Sequence, residues 1–230
     1  MKILGIIGGL GPESTVDYYR FIIEEYRRRT HTNASPPMLI NSLDIEKGIA
    51  LVTANNLVEL AAYIGEGLQR LARAGADFAL MAANTPHIAF DAIQRLSPIP
   101  LLSIVEATRD EAQKLGMKRL ALLGTGFTMR GRFYPDVFSR AGIELITPSE
   151  DEKSFIHEKY LGELLTNQFL PATRDRMMKI IERLAAGGAA GVIMAGTELP
   201  LLLRDSKPPV PFLDTTLIHV NAAVDEMLKT

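Results

Sequence analysis

The sequence predicts an α/β protein made of two similar domains, each built on a parallel sheet. Short apolar segments with little alternation between polar and apolar residues take turns along the chain with longer amphipathic segments. Strands that are apolar on both faces are typical of parallel sheets covered by helices, and strand–helix alternation supplies the crossover connections. An internal repeat, which divides the 230 residues into two halves, is the second observation behind this prediction.

The apolar runs and the helical periodicity define the elements in order. The predicted strands are residues 2–8, 38–42, 78–83, 101–104, 119–124, 144–146, 191–195 and 212–214. The predicted helices are residues 14–29, 57–74, 88–95, 105–115, 131–141, 151–167, 171–186 and 216–228. In the second of these helices Leu60, Ile64, Leu68 and Leu71 recur at helical spacing, which gives it one apolar face.

The repeat consists of three segments that recur in the same order at nearly constant offset. Residues 2–8 match 118–124, residues 71–83 match 184–196, and residues 99–102 match 210–213. Three ordered matches favour duplication of a four-strand unit over a generic likeness between strand–helix units. We therefore predict one domain from 1–104 plus 215–230, with the C-terminal helix packing back on it, and a second domain from 105–214.

Duplication also predicts where a ligand binds. In open parallel sheets ligands bind at the carboxyl ends of strands, so a pseudo-twofold pair of domains would hold its ligand in a cleft between them. Ala83 and Gly196 are equivalent under the repeat, and each follows an apolar strand. We expect them on opposite walls of that cleft.

Composition excludes several classes of protein. The net charge of -2 and the absence of a concentrated basic segment give no indication of a nucleic-acid or membrane-surface partner. The chain has no cysteine, which excludes disulfides, Cys-ligated metal centres and thiol nucleophiles. With no apolar run of about 18 residues and no signal-peptide pattern, a cytoplasmic protein is expected.

A glycine-rich turn follows the first predicted strand. Gly8, Gly9, Leu10 and Gly11 would expose N–H groups at a helix N-terminus, where a small carboxylate would be stabilised. A dinucleotide site is disfavoured because Ser14 stands where the last glycine of G-x-G-x-x-G belongs. A purely structural turn remains the alternative.

Polar residues follow the strand over 78–83. Asn84 and Thr85 could bind a carboxylate, although capping of the next helix would also explain them. His87 could carry a proton, since its ordinary pKa lies near neutrality. A histidine packed at the start of a helix is an equally good reading of the same residue.

The second half offers corresponding candidates. Thr125 and Thr128 follow the strand over 119–124 and add hydroxyl donors, while Thr197 and Glu198 follow the strand over 191–195. Glu198 could act as a base, orient one, or cap a helix. Asp44, in the first half, could pair with a ligand amino group.

At these motifs the chain resembles the aspartate/glutamate racemase family, in particular its aspartate racemase branch. The segments that carry the resemblance are residues 8–19, 84–87, 122–125 with 128–129, 196–202 and 214–215. The resemblance implies two α/β domains facing across a cleft, a homodimer, and amino-acid racemisation (an isomerase reaction) without pyridoxal phosphate, other cofactor or metal.

The family places one cysteine on each side of the substrate α-carbon. By matching motif, the two cysteine positions are Ala83 and Gly196 in this chain, and neither residue can give or accept a proton. A two-thiol mechanism is therefore excluded. Among the remaining groups, His87 and Glu198 are the substitutes that we predict first, with Asp44 and Glu13 as further candidates.

Three functions stay open at this point. The chain could be a racemase family enzyme that acts on a small amino acid or dicarboxylate, such as aspartate or glutamate, through non-thiol groups. It could be a ligand-binding protein that has lost the chemistry. It could also catalyse a different isomerase or lyase reaction on the same scaffold.

Overall fold

The computed structural model describes residues 1–229, which form two compact units. The first unit comprises Met1–Ala107 together with residues 216–229, and the second comprises Thr108–Thr215. Each unit contains one sheet of four parallel strands with helices between them. The predicted fold class, two parallel-sheet α/β halves, is confirmed.

The sheet of the first unit has the strand order β2-β1-β3-β4, and all its pairings are parallel. Its elements are β1 (Leu4–Gly8), α1 (Pro12–Thr30), β2 (Met38–Ser42), α2 (Ile45–Thr53), α3 (Leu57–Arg73), β3 (Phe78–Met81), a 3-10 turn (Thr85–Ala89), α4 (Phe90–Leu96), β4 (Leu101–Leu102) and α5 (Ile104–Lys114), whose last residues belong to the second unit. The central strands β1 and β3 are buried along their whole length.

The second unit repeats this arrangement, with the strand order β6-β5-β7-β8. Its elements are β5 (Arg119–Gly124), α6 (Gly126–Arg130), α7 (Phe133–Ser139), β6 (Glu144–Ile146), α8 (Glu150–Gly162), a 3-10 turn (Leu164–Thr166), α9 (Pro171–Ala186), β7 (Val192–Ala195), α10 (Leu199–Leu203) and β8 (Phe212–Asp214). Helix α11 (Thr215–Leu228) then returns the chain to the first unit.

Strand register makes the two units equivalent residue by residue. Met81 pairs with Ile7 in the first sheet, and Met194 pairs with Leu123 in the second. Two residues beyond each methionine, the chain reaches Ala83 and Gly196. The offset of 113 that the sequence repeat gives for these two positions is thus the offset of the hydrogen-bonded register as well.

Helices cover both sheets by burying apolar side chains against the central strands. In the first unit Ile6 of β1 shares one core with Ile22 of α1 and with Val224 and Met227 of α11. In the second unit the core joins β5 and β7 to α8, α9 and α10. Burial on this scale, at about 25 cal/mol per Å² of apolar surface, is the main favourable term in folding.

Helix ends follow their local chemistry. Pro12 starts α1 without losing an intrahelical hydrogen bond. The basic residues at 27–29 lie in the last turn of α1, where their positive charges interact favourably with the negative end of the helix dipole. Ser149 and Glu152 form a capping box at the start of α8. This box fixes where α8 begins and therefore which of its residues face the core.

Several element boundaries differ from those predicted. The predicted helix over 131–141 is the shorter α7 (Phe133–Ser139), because the backbone is extended at Gly131, and the short α6 before it was not predicted. The helix over 88–95 begins as a 3-10 turn, and the strand over 101–104 ends after Leu102 because α5 starts at Ile104. The helices α2 and α10 were not predicted.

Two buried histidines hold together the polar interior of the first unit. Nε2 of His219 lies 3.2 Å from the carbonyl oxygen of Leu102, which can only accept, so Nε2 donates and Nδ1 accepts from Tyr18 Oη at 2.8 Å. Nε2 of His87 accepts from the Ile104 N–H at 3.2 Å, so its Nδ1–H donates to the carbonyl oxygens of Ala83 and Asn84. Each ring is therefore neutral, and each holds at least one backbone group in place through a hydrogen bond.

Burial lowers the pKa of both histidines. The pKa of His87 falls from 6.5 to about 4, because loss of solvent outweighs the hydrogen bonds to Asn84 and Ala83. The pKa of His219 falls to about 3, through burial and the neighbouring His87 ring. The folded unit consequently resists protonation of both rings across the mildly acidic range.

We expect the free energy of unfolding to decrease as the pH is lowered from 6.5 towards 4.5. Below 6.5 the unfolded chain takes up protons on these imidazoles while the folded chain does not, so stability is lost as the pH falls. The slope for each histidine approaches about 1.4 kcal/mol per pH unit. Urea unfolding at a series of pH values measures it.

The carboxylates of Glu25 and Glu226 affect a lower pH range. Their pKa values lie below 4.5, lowered first by hydrogen bonds to Arg28 and Lys2, so the stability that they contribute is lost as the pH falls through about 4.5 and below. The variant His219→Gln keeps a donor for Leu102 and should lose about one proton from the slope. An unchanged slope in this variant would contradict the assignment.

Candidate active site

The loop after β1 is tight and already uses part of its backbone. Gly9 has a φ of +79°, and a Cβ there would lie 2.1 Å from the carbonyl oxygen of Leu43, so only glycine fits. Its N–H donates to Thr15 Oγ1 at 2.9 Å. The N-cap residue of α1 is Gly11, which has no side chain to cap the helix, so the first N–H groups of α1 depend on water or a ligand.

The end of β3 lies beside this loop. Ser14, on the first turn of α1, donates from its hydroxyl to the carbonyl oxygen of Ala82 at 2.7 Å. Ala83 and Asn84 are buried, and Thr85 is half-buried. The structure therefore brings the glycine loop together with Asn84 and Thr85 at one edge of the first sheet.

His87 does not project a free nitrogen into this edge. Both of its ring nitrogens are engaged with backbone, and its ring stacks on Phe90 with centroids 5.3 Å apart. Of the two readings that the sequence left open, these contacts favour the packed histidine. Its position fixes the carbonyl group of Ala83 and the start of α5 at Ile104.

Two acidic candidates of the first unit serve local structure. Asp44 is exposed and caps α2 by accepting from the Glu46 N–H at 2.8 Å. Glu13 is exposed in the first turn of α1, where an acidic side chain favours the helix dipole. These contacts give each carboxylate a structural role that needs no ligand.

In the second unit the hydroxyl groups after β5 organise a short helix. Thr125 is the N-cap of α6, accepting from the Thr128 N–H at 3.3 Å, and the two hydroxyl oxygens are 3.3 Å apart. The Gly126 N–H donates to Nδ1 of His157 at 3.1 Å. Burial, and next the charge of Arg130, lowers the pKa of His157.

At the end of β7 a buried carboxylate, Glu198, accepts hydrogen bonds from two hydroxyl groups. Tyr160, on α8, donates from its hydroxyl to Glu198 Oε2, and Thr197 Oγ1 donates to the same oxygen at 2.8 Å. Tyr160 and Glu198 are both buried, at 4% and 3% exposure. Burial, followed by the Glu198 charge, raises the pKa of the Tyr160 phenol well above 10 and keeps it protonated.

Tyr160 also occupies the space beside Gly196. A Cβ at position 196 would lie 2.5 Å from Tyr160 Oη and 2.6 Å from its Cε2. The phenol thus fills the volume that any side chain at this strand end would need. At the equivalent position of the first unit, Ala83 carries a methyl group.

Sequence reasoning missed Tyr160 and His157. Both lie on α8, outside the motifs at the strand ends, and the contact between Tyr160 and Glu198 spans 38 residues of chain. A buried glutamate after a strand was the available signal, because a carboxylate away from water needs hydrogen-bond donors. The sequence does not say which residue supplies them.

Two kinds of feature are absent from residues 1–229. No helix there is both long and apolar enough to cross a membrane. No three or more histidine, aspartate or glutamate side chains in the same range are grouped in a way that could hold a metal ion.

Comparison with known proteins places these strand ends in a family context. The family model for Asp/Glu/hydantoin racemases matches residues 7–223. A candidate Asp/Glu racemase from Yersinia pestis has a crystal structure that superimposes with a TM-score of 0.91 at 33% identity, covering 100% of both chains. An aspartate racemase homologue from Pyrococcus horikoshii OT3 gives 0.85 at 31% identity, again with complete coverage of both chains.

A curated relative is more distant in sequence. The broad specificity amino-acid racemase of Bacillus subtilis (strain 168) is 24% identical over 230 residues, covering 98% of this chain and 98% of its own length.

We expect Gly196→Ala to lower the free energy of unfolding by about 1–3 kcal/mol, because the added methyl group must displace the Tyr160 ring. Gly162→Ala is the matched control: a Cβ there meets nothing within 4 Å, and the change should be neutral or stabilising by about 0.4–1 kcal/mol. Urea unfolding of the two variants makes the comparison. Equal stability of both would show that the phenol does not fill the space at 196.

Proposed function

The chain belongs to the Asp/Glu/hydantoin racemase family, and from that premise we propose that it is an amino-acid racemase which removes and returns the α-proton of a small amino acid without a cofactor. The match spans most of the chain, and the relatives include proteins described as amino-acid and aspartate racemases or homologues of them. The observation that carries the proposal is the pair of equivalent strand-end positions, Ala83 and Gly196, each bordered by polar groups.

The substrate carboxylate is assigned to the edge of the first sheet. The uncapped N-terminus of α1 offers N–H groups, and Asn84 and Thr85 lie after β3 beside it. A carboxylate there would gain charge-assisted hydrogen bonds and the favourable end of the helix dipole. In the loop Gly8, Gly9, Leu10 and Gly11, the glycines can contribute backbone only, and the Gly9 N–H already donates to Thr15 Oγ1. We therefore assign to this part of the site the substrate carboxylate and not the substrate side chain.

The hydroxyl groups of the second unit are the further binding candidates. Thr125, Thr128 and Thr197 follow β5 and β7, at the edge that corresponds to the one bearing Asn84 and Thr85. We assign aspartate or glutamate as the first substrates to test. Other amino acids belong in the same panel, since the Bacillus subtilis relative is described as having broad specificity.

The reaction cannot use the two thiols that the resemblance implies. The chain has no cysteine, and the positions that match them are Ala83 and Gly196. His87 is a poor replacement, because both ring nitrogens are committed to backbone and its pKa is lowered to about 4. Glu198 is the stronger one, because its carboxylate lies beside Gly196 in a buried hydrogen-bonded cluster.

The first test is exchange of the α-proton. The protein is incubated in D₂O with L- and D-aspartate, L- and D-glutamate and a panel of other amino acids, and the α-proton signal is followed by NMR while chirality is followed by chromatography. We expect loss of the signal together with inversion. Calorimetric binding without exchange would support a ligand-binding protein instead, and neither exchange nor binding at millimolar concentration would refute the substrate class.

The second test addresses the binding residues. Asn84→Ala should weaken amino-acid binding roughly ten- to hundredfold, because a hydrogen bond to a charged group is lost. Asn33→Ala, in an exposed segment between α1 and β2, is the matched control and should leave binding unchanged. Equal affinity of the two variants would remove Asn84 from the site.

Homodimerisation stays a prediction of the resemblance alone. A sedimentation mass of twice 25.3 kDa would agree with it. A species of 25.3 kDa at micromolar concentration would contradict it.

A further inference from the structure

Position 196 has no side chain, but a proton-bearing atom lies beside it. The Tyr160 ring fills the volume that a side chain there would need, and the atom nearest to the ideal Cβ position, at 2.5 Å, is the phenolic oxygen. The hydroxyl group of Tyr160, on α8, thus occupies the space in which a side chain at position 196 would place its own reactive atom.

The surroundings of this hydroxyl are built for proton transfer. It donates to Glu198 Oε2, so an acceptor for its proton is in direct contact. Thr197 donates to that same oxygen at 2.8 Å, which holds the carboxylate in place. Thr197 is half-buried, while the other two side chains are buried, so the cluster has one edge towards solvent.

We propose that Tyr160 Oη is the proton-carrying atom of the second unit, with Glu198 as the base that receives and returns its proton and Thr197 as a positioning residue. The proposal deepens the racemase assignment and rests on it. Tyr160 is the catalytic residue in this scheme, because its oxygen meets the substrate α-proton.

The step balances within the chain and its substrate. The α-C–H bond breaks and leaves its electron pair on the α-carbon. The proton passes to Tyr160 Oη while the phenol's original proton passes to Glu198 Oε2. The phenol is neutral before and after, and the negative charge has moved from Glu198 to the substrate. Return of a proton from Tyr160 on the same face restores the starting enantiomer and the Glu198 carboxylate. For inversion, water delivers a proton to the opposite face of the α-carbon and the proton held by Glu198 returns to solvent.

A relay of this kind suits a phenol better than direct proton removal. Burial and the adjacent carboxylate disfavour the phenolate, so Tyr160 alone is a weak base. Coupled to Glu198, it gives up one proton as it takes another and never carries a full charge. The carboxylate supplies the basicity, and the phenol supplies the reach to the space beside Gly196.

The decisive variant is Tyr160→Phe, which keeps the ring and removes the hydroxyl. At saturating substrate we expect α-proton exchange in D₂O to slow by about 10²–10⁴-fold, the usual contribution of one positioned acid–base group, with the dissociation constant unchanged. Tyr134→Phe is the matched control, a fully buried tyrosine of the same unit whose hydroxyl bonds to Thr108. It should retain the parental exchange rate.

Two further variants separate catalysis from packing. Glu198→Gln retains an amide oxygen to accept from Tyr160 but cannot take a proton, so it should lose exchange while binding persists. Incorporation of 3-fluorotyrosine at position 160 preserves the shape and makes the phenol a stronger hydrogen-bond donor to Glu198. The carboxylate then loses its proton at lower pH, so the pH profile of exchange should shift to lower pH. A residue that only packs would not move that profile.

The outcomes are distinct. If the parental protein exchanges α-protons and Tyr160→Phe does so within about threefold of its rate, Tyr160 is not the proton carrier and the racemase assignment stands. If Tyr160→Phe does not fold, an unshifted profile for the fluorotyrosine protein overturns the proposal. If the parental protein exchanges no amino acid, the racemase assignment fails and the proposal fails with it.

Discussion

Parallel pairing of strands buried on both faces is the constraint on which the molecule depends. In β1, β3 and β7, and in β5 after Arg119, every residue is buried and none has a polar side chain, because a polar side chain without a partner is costly between two covered faces. Polar side chains can begin only where a strand ends. Because the strands are parallel, these ends gather at one edge of each sheet, and the same register puts Ala83 and Gly196 at equivalent places.

The buried polar groups near that edge find their hydrogen-bond partners in different ways in the two units. In the first, His87 and His219 are neutral rings that tie backbone atoms together, and their burial lowers the pKa of each. In the second, Tyr160 and Glu198 share a proton-bearing contact that burial strengthens. The backbone register is equivalent in the two units, while the side chains at the corresponding strand ends make different contacts.

The fold could be predicted from the sequence to a large extent, because apolar runs identify buried parallel strands and the repeat fixes their order. Short elements were harder: α2, α6 and α10 have few residues, so their periodicity is weak, and the predicted helix over 131–141 is shorter in the structure because the backbone is extended at Gly131. The candidate site could be predicted only where it follows a strand. Tyr160 belongs to it through a contact over 38 residues of chain, and no local pattern encodes that distance.

The contact between Tyr160 and Gly196 also limits which sequences can be reached from this one by single changes. Any larger residue at 196 collides with the ring until 160 becomes smaller. A smaller residue at 160 opens a cavity and takes a hydrogen-bond donor from a buried carboxylate. Each single change is therefore expected to lower stability, so the two positions are energetically coupled: a side chain at 196 is accommodated best when the residue at 160 changes with it.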